Sequence, residues 1–171
     1  MATTLVLGGA RSGKSAYAQR AAEEAAQTNK GRLIFIATAE GRDDEMRERI
    51  ARHQAERGAD WQTREEPLNL TSALSTLRPE DTAVVDCLTL WMSNLLAHER
   101  AIDKQVADLV KTVSQNHAAL WLVSNEVGWG IVPDNPLARR FGDECGRLHQ
   151  ALAARVEHVI LIAAGLPLRL K

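Results

Sequence analysis

Several things are scarce in this sequence, and each scarcity excludes something. Only two cysteines occur in 171 residues, Cys87 and Cys145. No Cys-x-x-Cys or Cys/His metal spacing is present, so a disulfide scaffold is excluded and both thiols are expected reduced in the interior. Aromatic residues make up only 4%, too few for a platform that stacks single-stranded nucleic acid. Neither sign of charge is in excess: 21 Lys+Arg stand against 22 Asp+Glu, for a net charge of −1. That argues against a basic nucleic-acid binder and against a polybasic membrane-surface protein. No apolar run approaches the ~20 residues of a membrane span. The start, Met-Ala-Thr-Thr-Leu-Val-Leu, turns into Gly8-Gly9 instead of extending into the apolar region of a secretory signal. The cytoplasm is the expected compartment. There is no internal repeat and no low-complexity linker, so residues 1–171 are expected to form a single domain.

What is present is ordinary globular material. Hydrophobic residues are 45% and charged residues 25%, close to the average of folded domains. Short apolar runs alternate with longer amphipathic stretches, which is the α/β pattern. Strands are expected over 4–7, 33–37, 83–86, 120–124 and 159–163, with a further edge strand over 168–170. Continuous Val, Ile and Leu runs of this kind suit parallel strands covered on both faces. Helices are expected over 14–27, 43–57, 88–98, 103–116 and 137–155. The stretch 61–67 is ambiguous, with room for a short strand. Open parallel sheets bind ligands at the carboxyl ends of their strands, so chemistry is sought just after each one.

After the first strand stands Gly8-Gly9-Ala10-Arg11-Ser12-Gly13-Lys14-Ser15. This is Gly-x-x-x-x-Gly-Lys-Ser, the phosphate-binding P-loop. The glycines let consecutive N–H groups turn toward one phosphate, and the following helix adds its positive end. Lys14 would reach the β- and γ-phosphates, and the Ser15 hydroxyl would ligate Mg²⁺. The pattern points to a nucleoside triphosphate and leaves the phosphate acceptor open.

Two further strands end in acids or polar residues. Ala83-Val84-Val85-Asp86 has the form of a strand whose terminal carboxylate holds Mg²⁺ or nucleotide, or simply caps the next helix. Ser124-Asn125-Glu126 would also face the site. In the expected helix over 43–57, acids gather at the start, where the dipole favours them. Glu45–Arg49 and Glu48–Arg52 are i,i+4 pairs. His53 shares a face with Met46 and Ile50; on pattern alone it reads as a core or rim residue, the ordinary role of a histidine on an apolar face.

Taken in order, these residues resemble one family. Besides the phosphate loop, its motifs match Ile36-Ala37-Thr38-Ala39, Arg49-Ile50-Ala51-Arg52-His53, Trp61-Gln62-Thr63 with Glu65, Asp86-Cys87-Leu88-Thr89, and Asn125-Glu126-Val127-Gly128 with Gly130-Ile131-Val132-Pro133. The sequence resembles the bifunctional adenosylcobinamide kinase / adenosylcobinamide-phosphate guanylyltransferase family of cobalamin biosynthesis, from the first strand to the last. The resemblance implies an α/β P-loop NTPase fold, RecA-like, with an open, mostly parallel sheet flanked by helices. It implies phosphorylation of adenosylcobinamide by ATP or GTP, then transfer of GMP from GTP through a guanylylated histidine, with Mg²⁺ as cofactor. By position, His53 is that histidine and Lys14 its partner in catalysis. The nucleotide site would comprise Gly8 to Ser15, Ala37, Thr38, Ala39, Gln54, Ala55, Glu56, Arg57, Glu65 and Asp86. An acid suits the N1–H and N2 amine of guanine, so Asp86 or Glu65 would read the base or, in the case of Asp86, bind metal with Ser15. Trp91, Trp129 and Trp121 are candidates to pack on a corrin ring, although a core position suits at least Trp121. The resemblance also implies a trimer, a corrinoid partner, and no nucleic acid or membrane partner. Two other readings compete: a simple P-loop small-molecule kinase without a covalent step, and a nucleotide-switched regulatory protein.

Overall fold

The computed structural model describes residues 2–41 and 58–171. The helix expected over 43–57, with His53 and Gln54 to Arg57, lies outside the described residues.

Among the described residues, seven strands form one sheet. They are β1 (Thr3–Gly8), β2 (Leu33–Ala37), β3 (Trp61–Glu65), β4 (Thr82–Asp86), β5 (Ala119–Asn125), β6 (His158–Ala163) and β7 (Leu166–Arg169). Their order is β3-β2-β4-β5-β1-β6-β7. Every neighbouring pair is parallel except β6 with β7, a hairpin at the edge. The helices are α1 (Lys14–Asn29), α2 (Leu70–Ser75), α3 (Leu88–Ala97), α4 (Ile102–Gln115) and α5 (Pro136–Ala153).

The strands are apolar throughout because both faces are covered. Leu5, Leu7, Ile34, Ile36, Val85, Leu120 and Leu122 point to one face, where Leu70, Leu74, Leu88, Trp91, Leu95, Leu109, Leu148 and Leu152 of α2 to α5 meet them. The alternate residues Val6, Phe35, Val84, Val123 and Ile160 point to the other face, where Ala18 and Ala22 of α1 pack. The period-two alternation of a strand sorts its side chains in this way. Small alanines let α1 lie close against the sheet.

The elements expected within the described residues are found with ends shifted by a residue or two. The ambiguous 61–67 stretch contains β3, held at its first residue by an edge-on Phe35–Trp61 contact with ring centroids 5.9 Å apart. Helix α2 has no counterpart among the expectations: six residues span less than two turns and give no readable period. The edge strand β7 begins earlier than expected, right after the tight turn at Ala164-Gly165, where φ is 51° and 81°. Both central residues with positive φ are what a type I′ hairpin turn needs.

Candidate active site

The crossovers leave β1 and β5 in opposite directions, β1 toward β2 and β5 toward β6. The carboxyl end of β1 is therefore a point where the connections diverge, the usual ligand position in such a sheet. The loop from Gly8 to Lys14 sits there. Gly8 is buried, and nothing larger fits: a Cβ would meet Ser12 Oγ at 2.5 Å and the Ile162 carbonyl at 2.6 Å. Arg11 and Gly13 both take left-handed backbone, with φ of 56° and 93°. Such turns gather N–H groups into an anion-binding hollow. The Lys14 side chain is buried, and its ammonium donates to the Gly9 carbonyl across the loop at 2.9 Å. From the other side, the β6–β7 turn supports the loop: the Gly165 N–H donates to the Ser12 carbonyl at 2.9 Å.

Ser12 Oγ is buried without a hydrogen-bond partner. A buried unpaired hydroxyl costs about 1–3 kcal/mol, so this group fits a loop whose polar atoms await a ligand. Ser15, on the first turn of α1, and Asp86 are both partly buried oxygen donors. No group of three or more His, Cys, Asp or Glu that could hold a metal occurs among the described residues. A magnesium site of that donor set would rest on a few protein oxygens, phosphate oxygens and water, which is the normal habit of Mg²⁺.

The sheet register brings several expected residues into one row. Ala37 pairs with Glu65 on one side and with Asp86 on the other, so the ends of β3, β2 and β4 lie abreast. Glu65 is exposed and Ala39 partly buried. Thr38 has another occupation. It is wholly buried, and its hydroxyl donates to the Cys87 carbonyl at 2.7 Å and accepts from the Cys87 N–H at 2.8 Å. Asn94 of α3 adds its amide, donating to the carbonyls of Thr38 at 2.8 Å and Pro67 at 3.1 Å. Thr38 thus ties the end of β2 to the end of β4 and holds the row in place.

The tryptophans separate. Trp91 is fully buried, with its indole N–H on the Leu68 carbonyl at 2.9 Å. It belongs to the core and is not placed to pack on a ring from solvent. Trp129 is 75% exposed, and Ile131, Val132 and Leu137 are exposed as well.

Two residues expected to face the site, Ser124 and Glu126, meet a histidine to which no expectation is attached. His149 on α5 is buried against Ser124 and faces Glu126. Burial pushes its pKa down, and the Glu126 carboxylate pulls the other way. The signal for it was in the spacing: Cys145, His149 and Leu152 share the apolar stripe of α5 and are all buried, which marks the histidine as an inward one.

Fold and loop together define a P-loop nucleotide-binding α/β protein. The family model described as cobinamide kinase / cobinamide phosphate guanyltransferase matches residues 4–170, and the chain belongs to that family. The bifunctional adenosylcobalamin biosynthesis protein CobP of Pseudomonas aeruginosa is 47% identical, covering 98% of this chain and 96% of its own length. The bifunctional CobU proteins of Salmonella typhimurium and Escherichia coli are 39% and 35% identical, each over 98% of both chains. Among solved structures, an ATPase domain is similar with a TM-score of 0.50 at 11% identity, covering 94% of this chain and 68% of that one. That likeness speaks for the fold alone.

Proposed function

We propose that this chain is a bifunctional transferase of adenosylcobalamin biosynthesis. It phosphorylates the free hydroxyl of adenosylcobinamide with ATP or GTP. It then moves GMP from GTP onto the new phosphate, giving adenosyl-GDP-cobinamide and pyrophosphate. The observation that carries the reading is the family match over 4–170, and a phosphate loop at the carboxyl end of β1 supports it.

In this reading the loop N–H groups, the N-terminus of α1 and Lys14 bind the triphosphate and neutralise charge that builds on the leaving phosphate. Gly8 to Ser15, Ala37, Thr38 and Ala39 border the nucleotide, Thr38 through its backbone, since its hydroxyl is held by Cys87. Ser15 and Asp86 would hold Mg²⁺, which supplies charge neutralisation at the phosphates. Glu65 is the alternative acid for guanine, since a carboxylate accepts from N1–H and the N2 amine together.

His53 is the nucleophile of the second reaction, and its neutral imidazole attacks the α-phosphorus of GTP. Covalent catalysis of this kind divides one hard displacement into two easier ones. Gln54 to Arg57 would follow along the nucleotide. These roles rest on the order of motifs in the sequence. The same kinship is the ground for a trimer, a cytoplasmic setting and a corrinoid as the macrocyclic partner; no helix among the described residues is long and apolar enough to cross a membrane.

The test is labelling. Protein incubated with Mg²⁺ and GTP labelled at the α-phosphate, then denatured, retains acid-labile, alkali-stable label, whereas γ-label is not retained. His53→Ala abolishes the α-label. Absence of α-label from a folded, GTP-binding protein would sink the covalent step and leave a simple kinase.

A further inference from the structure

A buried polar chain runs beside the phosphate loop and ends in a carboxylate. It starts at the Asn125 N–H, which donates to Thr89 Oγ1 at 2.6 Å. Thr89 Oγ1 lies 3.1 Å from Ser124 Oγ, and Ser124 Oγ lies 2.7 Å from His149 Nε2. His149 Nδ1 faces Glu126 Oε2 at 3.7 Å, and Glu126 Oε1 accepts from the Gly128 N–H at 2.9 Å. Thr89, Ser124 and His149 are buried, while Glu126 keeps 17% of its side chain exposed.

Thr89 Oγ1 accepts from the Asn125 N–H and lies within hydrogen-bond reach of Ser124 Oγ. A neutral imidazole with its hydrogen on Nδ1 turns that hydrogen toward the carboxylate and lets Nε2 accept from the Ser124 hydroxyl. The other tautomer would set a lone pair against the Glu126 oxygens. Burial keeps the imidazole neutral. Cys145, Glu144 and Cys87 are the other titratable groups coupled to this cluster, and burial pushes both thiols up, so they stay protonated.

Glu126 is also tied to the loop. Its N–H donates to the Gly8 carbonyl at 3.0 Å, and it directly follows Asn125, the residue that pairs with Gly8. It stands just past the end of β5, the strand next to β4, whose last residue is Asp86.

We propose that Glu126 is the general base of the kinase half-reaction and that His149 is a positioning residue that holds it. The inference rests on the kinase reading above. In that step the acceptor hydroxyl oxygen bonds to the γ-phosphorus, and the bond from that phosphorus to the β,γ-bridging oxygen breaks. The nucleoside diphosphate leaves with the electron pair, and the hydroxyl proton passes to Glu126 and then to water. GMP transfer has no such proton to remove, because its acceptor is already a phosphate oxyanion. The two half-reactions therefore differ in their need for this carboxylate.

The experiment measures both in the purified protein: phosphorylation of adenosylcobinamide by ATP, and GMP transfer from GTP to adenosylcobinamide phosphate. For Glu126→Gln, kinase kcat falls about 100-fold or more relative to GMP transfer, the scale of one general base. For His149→Ala, kinase kcat falls roughly tenfold with KM for ATP little changed. His149→Asn keeps an N–H near the Nδ1 position and restores most of that loss. Equal loss of both half-reactions in Glu126→Gln, or loss in neither, overturns the base assignment. His149→Asn no better than His149→Ala overturns the positioning role. If His149→Ala does not fold, Ser124→Ala replaces it, with selective kinase loss expected and uniform or no loss overturning the role. A wild-type protein that folds, binds ATP and phosphorylates no adenosylcobinamide removes the kinase reading itself, and is seen before any variant is made.

Discussion

The two ends of the sheet are built to different rules. At the amino end, polar groups are spent on the fold. Asp81 is fully buried and accepts from the Arg32 guanidinium, from the Arg32 N–H at 3.2 Å and from the Arg78 N–H at 2.8 Å. Glu157 accepts from the Thr3 N–H at 2.7 Å, and the Lys171 ammonium donates to two carbonyls at the end of α5. At the carboxyl end, the backbone turns left-handed at Arg11 and Gly13, Ser12 Oγ is buried unpaired, and the strands deliver the carboxylates of Glu65, Asp86 and Glu126. The difference teaches that stability and ligand chemistry are separable along the strand direction. Substitutions at one end should move folding, and at the other end catalysis.

Lys14 should give the largest effect at the carboxyl end. Lys14→Ala is expected to lower both half-reactions by about 10²–10³-fold, the usual consequence of losing one preorganised charge at a phosphate. Initial rates and a thermal melt on one preparation check it. A fall in melting temperature large enough to explain the rate loss would break the separation. Gly8→Ala comes next and crosses the divide. Its new methyl would press on Ser12 Oγ and the Ile162 carbonyl, so the loop must shift. Overpacking of that kind costs about 1–3 kcal/mol. Nucleotide affinity is expected to fall together with the urea midpoint, measured by titration and by equilibrium unfolding.

Asp81 sharpens the comparison from the other side. Burial pushes its carboxyl up, but hydrogen bonds from Arg32 and from two backbone N–H groups outweigh that and hold its pKa at about 2, against an ordinary value of 3.8. The folded value is the lower one, so the stabilisation is present above about pH 4 and is lost as pH falls toward 2. The shift corresponds to about 2 kcal/mol at neutral pH. Asp81→Asn is expected to lower the urea midpoint at pH 7 and to leave both kcat values within about twofold, which unfolding curves and rate assays on the same variant decide. A large rate loss would show the two ends to be coupled.

The same comparison explains what is legible in the sequence. Strand identities are, because strands buried on both faces must be unbroken apolar runs, as in Leu33–Ala37. The phosphate loop is, because its geometry demands Gly8, Gly13, Lys14 and Ser15 at fixed spacing. Strand order is not, since no residue announces that β5 inserts between β4 and β1. Thr38 reads from sequence as a nucleotide contact, yet its hydroxyl partner Cys87 stands 49 positions away. Trp91 and Trp129 look alike in sequence, and only packing separates the core one from the exposed one. His149 is invisible as a site residue for the same reason: Ser124, its nearest polar partner, lies 25 positions earlier.

His149 also supplies the smallest effect and the finest test, because it sits at the ligand end yet is buried like a residue of the structural end. Burial lowers its folded pKa below the ordinary 6.5. The unfolded chain therefore takes up this proton first, and the associated stability is present above pH 6.5 and declines as pH falls below it. One proton changes stability by at most about 1.4 kcal/mol per pH unit. This window is well above that of Asp81, so the two groups can be read apart in a single pH series. Urea unfolding of wild type and His149→Asn at pH 7.5 and 5.5 should show a smaller pH-dependent loss in the variant. Equal losses in the two proteins would mean that the imidazole is solvated enough to charge in place. The Nδ1–H orientation toward Glu126 would then not be enforced by burial, and the kinase end would be less preorganised than its hydrogen bonds imply.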